Sequence, residues 1–193
     1  MSDPILHLVA GPNGAGKSTL YARVIGPASV LEFVNADVIS AQRWPDDPVG
    51  KSYEAAVVAA ERRMKLIENG MSFVTETVFS HESKLELVHA ALDAGYIVTL
   101  HVVIVPEALA VARVANRVET GGHAVPDDKI RERYKRLWPL VASAISLVDG
   151  TTVYDNSRAR TPFQIVASFD RGYVVGKANW PAWTPDVLRN AGH

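Results

Sequence analysis

Gly11-Pro12-Asn13-Gly14-Ala15-Gly16-Lys17-Ser18-Thr19 is the stretch whose reading decides the fold. It follows an apolar run, Ile5-Leu6-His7-Leu8-Val9-Ala10, that reads as a buried strand, and it precedes a helix expected to reach Ile25. Strand, then G-x-x-x-x-G-K-[ST], then helix is the phosphate-binding P-loop in its required context. The glycines let consecutive backbone N–H groups point inward without Cβ interference, making a nest for phosphate oxygens at a helix N-terminus. Residues Gly11 to Thr19 are therefore expected to cradle the phosphates of ATP. Lys17 would reach the β- and γ-phosphates, and the Ser18 hydroxyl is placed to ligate Mg²⁺. A dinucleotide-binding turn is the alternative, because Asp37 lies about twenty residues downstream, where such folds keep a ribose-binding acid. The glycines rule it out: they are spaced G-x-x-G-x-G, not G-x-G-x-x-G, and Lys17-Ser18 would have no role under a pyrophosphate.

Composition narrows the partners. The 193 residues suit one α/β unit with a substantial core, 48% of them apolar and 21% charged. A net charge of −1 gives no electrostatic ground for a nucleic-acid partner. With no cysteine, disulfides, thiolate metal sites and thiol catalysis are excluded. No signal peptide is evident and no apolar run approaches the roughly eighteen residues of a membrane span, so a cytoplasmic protein with no membrane partner is expected.

Short apolar runs alternate with longer helical patterns, the rhythm of βα units around a parallel sheet. Strands are expected near Ile5–Ala10, Val30–Asn35, Ser72–Glu76, Tyr96–Val105 and Thr151–Asp155, and helices at Lys17–Ile25, Ser52–Asn69, His81–Ala94, Glu107–Thr120 and Asp127–Val148. The expectation is a three-layer α/β P-loop NTPase or kinase fold, with a mainly parallel sheet of about five strands, flanking helices and a helical lid. Pro45 and Pro48 make 43–50 a loop, Gly172–Val175 reads as a short edge strand, and 176–193 reads as a docked tail.

In open α/β sheets ligands sit beyond the carboxyl ends of strands, which turns strand ends into site candidates. Asp37, after the second strand, can accept the proton of an attacking hydroxyl or can cap a helix. Asn35 either holds substrate or ends the strand. Glu76, at the tip of the third strand, is placed to hold the water shell of Mg²⁺ or a substrate hydroxyl, or else turns to the surface. Thr77 is a weaker substrate candidate. Asn156, after the last strand, either flanks an adenine or lies in a plain loop. Arg113 and Arg117 share a helix face before the Gly121-Gly122 break, and Arg131, Arg133, Lys135 and Arg136 follow it. Cations on both sides of a Gly-rich turn describe a lid over 113–136 that closes on phosphates, because arginine matches the charge spread over a transferring phosphoryl group. Arg117 and Arg133, which flank the break, are the expected catalytic pair, with Arg113 toward substrate. On the second of these helices Ile130, Tyr134, Leu137, Val141 and Ile145 form an apolar stripe expected to face the core.

Taken together, these residues make the chain resemble the zeta-toxin family of P-loop kinases in its compact bacterial form. The resemblance runs from Ile5 to about Arg158 and rests on an ordered set of motifs. These are the P-loop, Asn35-Ala36-Asp37, Thr75-Glu76-Thr77, Arg113-x-x-x-Arg117, Gly121-Gly122-His123-x-Val125-Pro126 and Ile130-Arg131-x-Arg133-Tyr134. It implies ATP-dependent phosphorylation of a UDP-N-acetyl amino sugar such as UDP-N-acetylglucosamine, with Asp37 as base and the lid arginines on the transferred phosphate. An antitoxin partner is implied as well. The family's third strand often carries Glu-x-Thr, where this chain has Glu76-Thr77-Val78. The competing classes are an ABC-type ATPase and a nucleotide switch that binds ATP to control a partner. The first lacks support because no Ser-Gly-Gly-Gln signature occurs, and the second needs neither a base nor a basic lid.

Overall fold

The computed structural model describes residues 3–119 and 125–192, with the backbone alone for 117–119. Its centre is a seven-stranded sheet in the order β2-β3-β1-β4-β5-β6-β7. The five expected strands form the parallel part: β1 (Ile5–Ala10), β2 (Glu32–Val34), β3 (Phe73–Thr77), β4 (Ile97–Ile104) and β5 (Gly150–Asp155). Parallel neighbours need crossover connections, so helices must cover the sheet. They are α1 (Lys17–Leu20), α2 (Ala36–Arg43), α3 (Ser52–Glu68), α4 (Ser83–Asp93), α5 (Glu107–Glu119), α6 (Asp127–Leu147) and α7 (Asp186–Arg189). The three-layer P-loop fold read from the sequence is the fold the chain adopts.

Three departures are instructive. The expectation of about five strands falls short: the edge strand expected at Gly172–Val175 is β7 (Tyr173–Val174), and an unexpected strand, β6 (Gln164–Asp170), joins it antiparallel to the parallel part. Strand β6 escapes a periodicity reading because Val166 and Ala167 are both buried while Gln164 and Ile165 are both exposed. A register shift between Val153 and Tyr154 in the facing strand breaks the alternation. Helix α2 is not among the expected helices, although the capping alternative for Asp37 supposes one there; it begins after Asn35, whose side-chain carbonyl accepts from the backbone N–H groups of Asp37 and Val38. Asn35 is thus the cap, and Asp37 stands in the first turn rather than at the capping position. Finally, the helix expected over Lys17–Ile25 is regular only to Leu20 and continues as a wider turn through Tyr21–Ile25.

The core lies where β1 and β4 run side by side, and Leu6, Leu8, Leu100 and Val102 are fully buried. The apolar stripe of α6 is buried as expected, and Tyr134 donates from its hydroxyl to the Val105 carbonyl at 2.9 Å. That anchor ties α6 to the end of β4, and burial pushes the phenol up to about 12. A separate small cluster of Val111, Val114 and Ile130, with Val125 against it, holds α5 to α6. In the tail, the Asn179 N–H donates to Val166 O at 2.7 Å and Leu188 is fully buried. Among the described residues no helix is long and apolar enough to cross a membrane.

On one face of β1 and β4, His7 and His101 meet with Nδ1 and Nε2 3.2 Å apart, and His101 also contacts the Tyr154 hydroxyl at 3.3 Å. A hydrogen bond between two imidazoles needs a lone pair on one of them. Burial lowers both, and His101 falls to about 4, helped by its neighbour. The unfolded chain protonates near 6.5, so the pair's stabilisation is complete above that pH and is lost as pH falls toward 4. Denaturant midpoints measured from pH 7 to pH 4.5 are expected to drop by an amount on the order of 2–3 kcal/mol in stability. In His101→Leu that slope should flatten, and an unchanged slope would remove the histidine pair as its cause.

Candidate functional site

The P-loop conformation is set by glycines at positions that need positive φ. Gly14 has φ 74° and Gly16 has φ 94°. A Cβ at Gly16 would come within 2.6 Å of the Asn156 amide nitrogen, which itself donates to Ala15 O at 2.8 Å. Asn156 therefore braces the back of the loop instead of lining the cleft before it. The Arg113 guanidinium completes that brace, donating to Asn156 O at 2.9 Å and to Gly14 O at 3.5 Å.

Inside the loop, Lys17 is buried and donates from Nζ to Pro12 O at 3.1 Å. Its Nζ also lies 3.9 Å from Glu76 Oε1. Glu76 is the meeting point of three strand ends. Its Oε2 accepts from the Ser18 hydroxyl at 2.8 Å and from the Asn35 amide at 2.9 Å. One carboxylate thus knots the P-loop, the end of β2 and the end of β3. A buried carboxylate costs several kcal/mol unless it is paired and hydrogen-bonded, and here both conditions are met. The surface-turned reading of Glu76 is ruled out, since its side chain is 9% exposed.

These groups open on a cleft of about 490 Å³ whose lining includes Asn13, Lys17, Ser18, Asp37, Glu76 and Arg133. Asn35, Thr77 and Arg113 line it too. Thr77 accepts from the Phe79 N–H at 3.3 Å, where Phe79 has a positive φ of 64°. Of the cations after the Gly-Gly break, Arg133 alone reaches the cleft among the described residues. Arg131 is drawn off to Glu107 at 2.8 Å, and Arg136 pairs with Glu132 at 3.3 Å on the surface. The Arg117 side chain and the Gly121-Gly122-His123 turn lie outside the described residues.

The Ser18 hydroxyl and the Glu76 carboxylate are hard oxygen donors side by side. That set fits Mg²⁺, which keeps most of its waters and takes one or two protein oxygens plus phosphate. Among the described residues no cluster of three or more histidine, aspartate or glutamate side chains offers a competing metal site. Sequence reasoning missed two cleft residues, Arg63 on α3 and Lys84 on α4. Arg63 had a legible signal: it stands in register with Ala55, Ala59, Leu66 and Ile67 on the buried face of its helix, where an arginine is out of place.

Comparison with known proteins bears on the family and the fold. The AAA domain family AAA_33 matches residues 6–140. An uncharacterized protein of Haemophilus influenzae is 29% identical over 125 residues, which cover 64% of this chain and 88% of that protein. Among solved structures, a chain of the AvrRxo1-ORF1:-ORF2 complex with ATP superimposes with TM-score 0.68 at 16% identity, over 90% of this chain. Our chain spans 60% of the length of that one. A chain of the PezAT chromosomal toxin–antitoxin system of Streptococcus pneumoniae gives TM-score 0.63 at 16% identity, covering 86% of this chain and 72% of that one. At such identities the likeness is one of fold.

Replacing Lys17 by alanine removes the point charge from the loop and one neighbour from Glu76. Calorimetric titration of Lys17→Ala with ATP and Mg²⁺ is expected to show binding at least about tenfold weaker, with the circular-dichroism spectrum unchanged. Equal affinities would exclude phosphate binding at this loop.

Proposed function

The chain belongs to the AAA domain family AAA_33, and on that premise we propose that it is an ATP-dependent phosphotransferase acting on a hydroxyl of a small molecule. The observation that carries the reading is that the P-loop shares one cleft with a solvent-facing Asp37 and with Arg133. A nucleotide switch needs the first of these and has no use for the other two. In the proposed reaction the acceptor oxygen bonds to the γ-phosphorus while the bridge to ADP breaks, and the hydroxyl proton passes to the Asp37 carboxylate. The loop N–H groups of Gly11 to Thr19 and Lys17 hold the phosphates. The Ser18 hydroxyl and the Glu76 carboxylate would hold Mg²⁺, which would supply charge neutralisation to the bound triphosphate. Asn35, through its Glu76 bond, keeps Asp37 in the first turn of α2.

Arg133 is the transition-state cation of this scheme, and Arg117, on the other side of the Gly-Gly break in the sequence, is its expected partner. Arg113 fixes the loop from behind and borders the acceptor side, and Asn156 acts on the nucleotide only through the loop it braces. Within one unit over 1–193, segment 113–136 acts as the lid and 176–193 as a docked strap. Closure serves to keep water, the competing acceptor, away from the γ-phosphate. The finer reading, suggested by the zeta-toxin resemblance, is a UDP-N-acetyl amino sugar as acceptor, with an antitoxin chain as partner in the cytoplasm. The fold likeness to a chain of the PezAT toxin–antitoxin system supports the antitoxin partner; the acceptor sugar rests on the motif resemblance alone.

Labelled ATP incubated with a panel of hydroxyl compounds, with mass spectrometry of the products, tests the reaction class; ATP hydrolysis with no labelled organic product would refute it. Asp37→Asn keeps the shape and removes the proton acceptor, so ATP should bind normally while transfer slows by about 10²–10⁴-fold. Near-wild-type transfer would strip Asp37 of its role. Arg133→Ala should lower kcat by about 10³–10⁵-fold with little change in the KM for ATP. Arg131→Ala, already engaged by Glu107, is the matched comparison and should leave kcat within about threefold. Equal losses in the two variants would contradict the assignment.

A further inference from the structure

Most arginines and lysines with an ion pair in this protein sit at the surface beside a carboxylate, as in Arg62–Glu32, Arg131–Glu107, Arg136–Glu132 and Lys51–Glu54. Two cations in the cleft invert that pattern. Arg63 is 7% exposed, and the recorded hydrogen bond of its guanidinium is a long one, Nη1 to the Thr75 hydroxyl at 3.5 Å. Lys84 is half-buried and reaches a neutral group, the Ser83 hydroxyl, at 3.3 Å. Among the described residues neither has a carboxylate within ion-pair distance. They also act on each other: burial first, and then the nearby Arg63 charge, lowers Lys84, with Glu86 opposing weakly. The Thr75 hydroxyl is itself committed, donating to Val34 O at 2.8 Å, so it offers Arg63 a lone pair and no charge.

Two like charges held near each other in a cleft, one buried and one half-buried, with no carboxylate at ion-pair distance, are costly unless something else brings the negative charge. The surroundings leave room for it. Along α3 the cleft is lined by Ser52, Tyr53, Ala56 and Ala59 before Arg63, so the two lining residues nearest that cation in the helix are alanines, and Ser80 adds a hydroxyl beside α4. Glu76 is taken up by Lys17, Ser18 and Asn35. The phosphates of ATP belong to the P-loop.

We propose that the α3–α4 side of the cleft is an oxyanion subsite, in which Arg63 and Lys84 hold a carboxylate or phosphate carried by the acceptor. Arg63 contributes a planar fork that matches either group with two parallel N–H bonds, and Lys84 contributes a point charge. The word acceptor rests on the kinase reading; the anion site itself does not. The subsite makes the substrate an anionic hydroxyl compound, bound by its charged end at Arg63 and Lys84 with a hydroxyl presented to Asp37.

The test uses the full chain saturated with Mg²⁺ and a non-hydrolysable ATP analogue, so that the P-loop is filled. Its thermal midpoint is followed while inorganic phosphate, or in a second arm malonate, is titrated in. A saturable rise is expected. The half-effect concentration should shift upward by at least about tenfold in Arg63→Gln and in Lys84→Gln, the loss of one charged hydrogen bond. It should stay unchanged in Arg136→Gln, whose partner is Glu132 on the surface. A response to phosphate alone assigns a phosphorylated acceptor, and a response to malonate assigns a carboxylate. If Arg63→Gln fails to fold, Lys84→Gln at its half-buried position still decides. No saturable response in the wild type, or equal half-effects in wild type and Lys84→Gln, overturns the proposal. Transfer assays keep it separate from the kinase reading. Phosphoryl transfer to neutral sugars with a KM untouched by Lys84→Gln would leave a kinase and overturn the subsite. Anion binding lost in both variants, with no transfer to any anionic or neutral acceptor, would leave the subsite and count against the kinase.

Discussion

Everything in the cleft depends on one carboxylate. Glu76 takes a proton donor from Ser18 on α1 and another from Asn35 at the end of β2, with Lys17 at its second oxygen. These groups are 58 and 41 residues from it along the chain. They meet only because β3 lies between β1 and β2 in the sheet. Because the carboxylate is buried, the arrangement is all or nothing: removing one donor leaves charge or lone pairs uncompensated. The same interactions that fix the fold at this point fix the direction of Lys17, the mouth of the P-loop and the start of α2.

A chain of small constraints carries that order outward. Asn35 uses its amide nitrogen on Glu76 and its carbonyl on the first turn of α2, so one side chain sets Asp37 relative to the phosphate loop. Behind the loop, Asn156 and Arg113 hold the carbonyls of Ala15 and Gly14, which keeps the loop N–H groups turned toward the cleft. Neither end of the cleft is fixed by a loop alone. Tyr134 ties α6 to Val105, and a contact of three valines and one isoleucine holds α5 to α6, so the two helices are packed together while Arg133 lines the cleft.

The arrangement of charge follows a simple division. Several exposed cations, among them Lys51, Arg62, Arg131 and Arg136, sit beside carboxylates, where such pairs contribute little to stability. The cations turned into the cleft, Arg133, Arg63 and Lys84, stand around a space large enough for a nucleotide tail and a small acceptor. Positive potential in a walled cleft is stronger than the same charges at a surface, because less water screens it. A protein of net charge −1 thus keeps a basic interior pocket.

Several elements were legible in the chain because they depend on near neighbours. The P-loop is decided by the local φ demands of Gly14 and Gly16 and by the Lys17-Ser18 pair that follows them. The five parallel strands and the buried stripe of α6 follow from apolar periodicity, and Glu76 was suspect because a carboxylate at a buried strand tip needs partners. Strand β6 was hidden because its burial is set by an irregular ladder with β5, and α2 because its start depends on Asn35 acting as a cap rather than as the end of a strand. Arg133 is preferred to Arg131 in the sequence by its place beside the break, but the reason in the structure, Glu107 pairing with Arg131, was invisible there. Arg63 and Lys84 belong to different helices, and nothing in the order of residues says that they share a cleft. The sequence by itself determined that this chain folds around a phosphate loop. Which side chains face one another across that loop was decided by the strand order 2-3-1-4-5, because burial and electrostatics act through space between segments that the chain keeps dozens of residues apart.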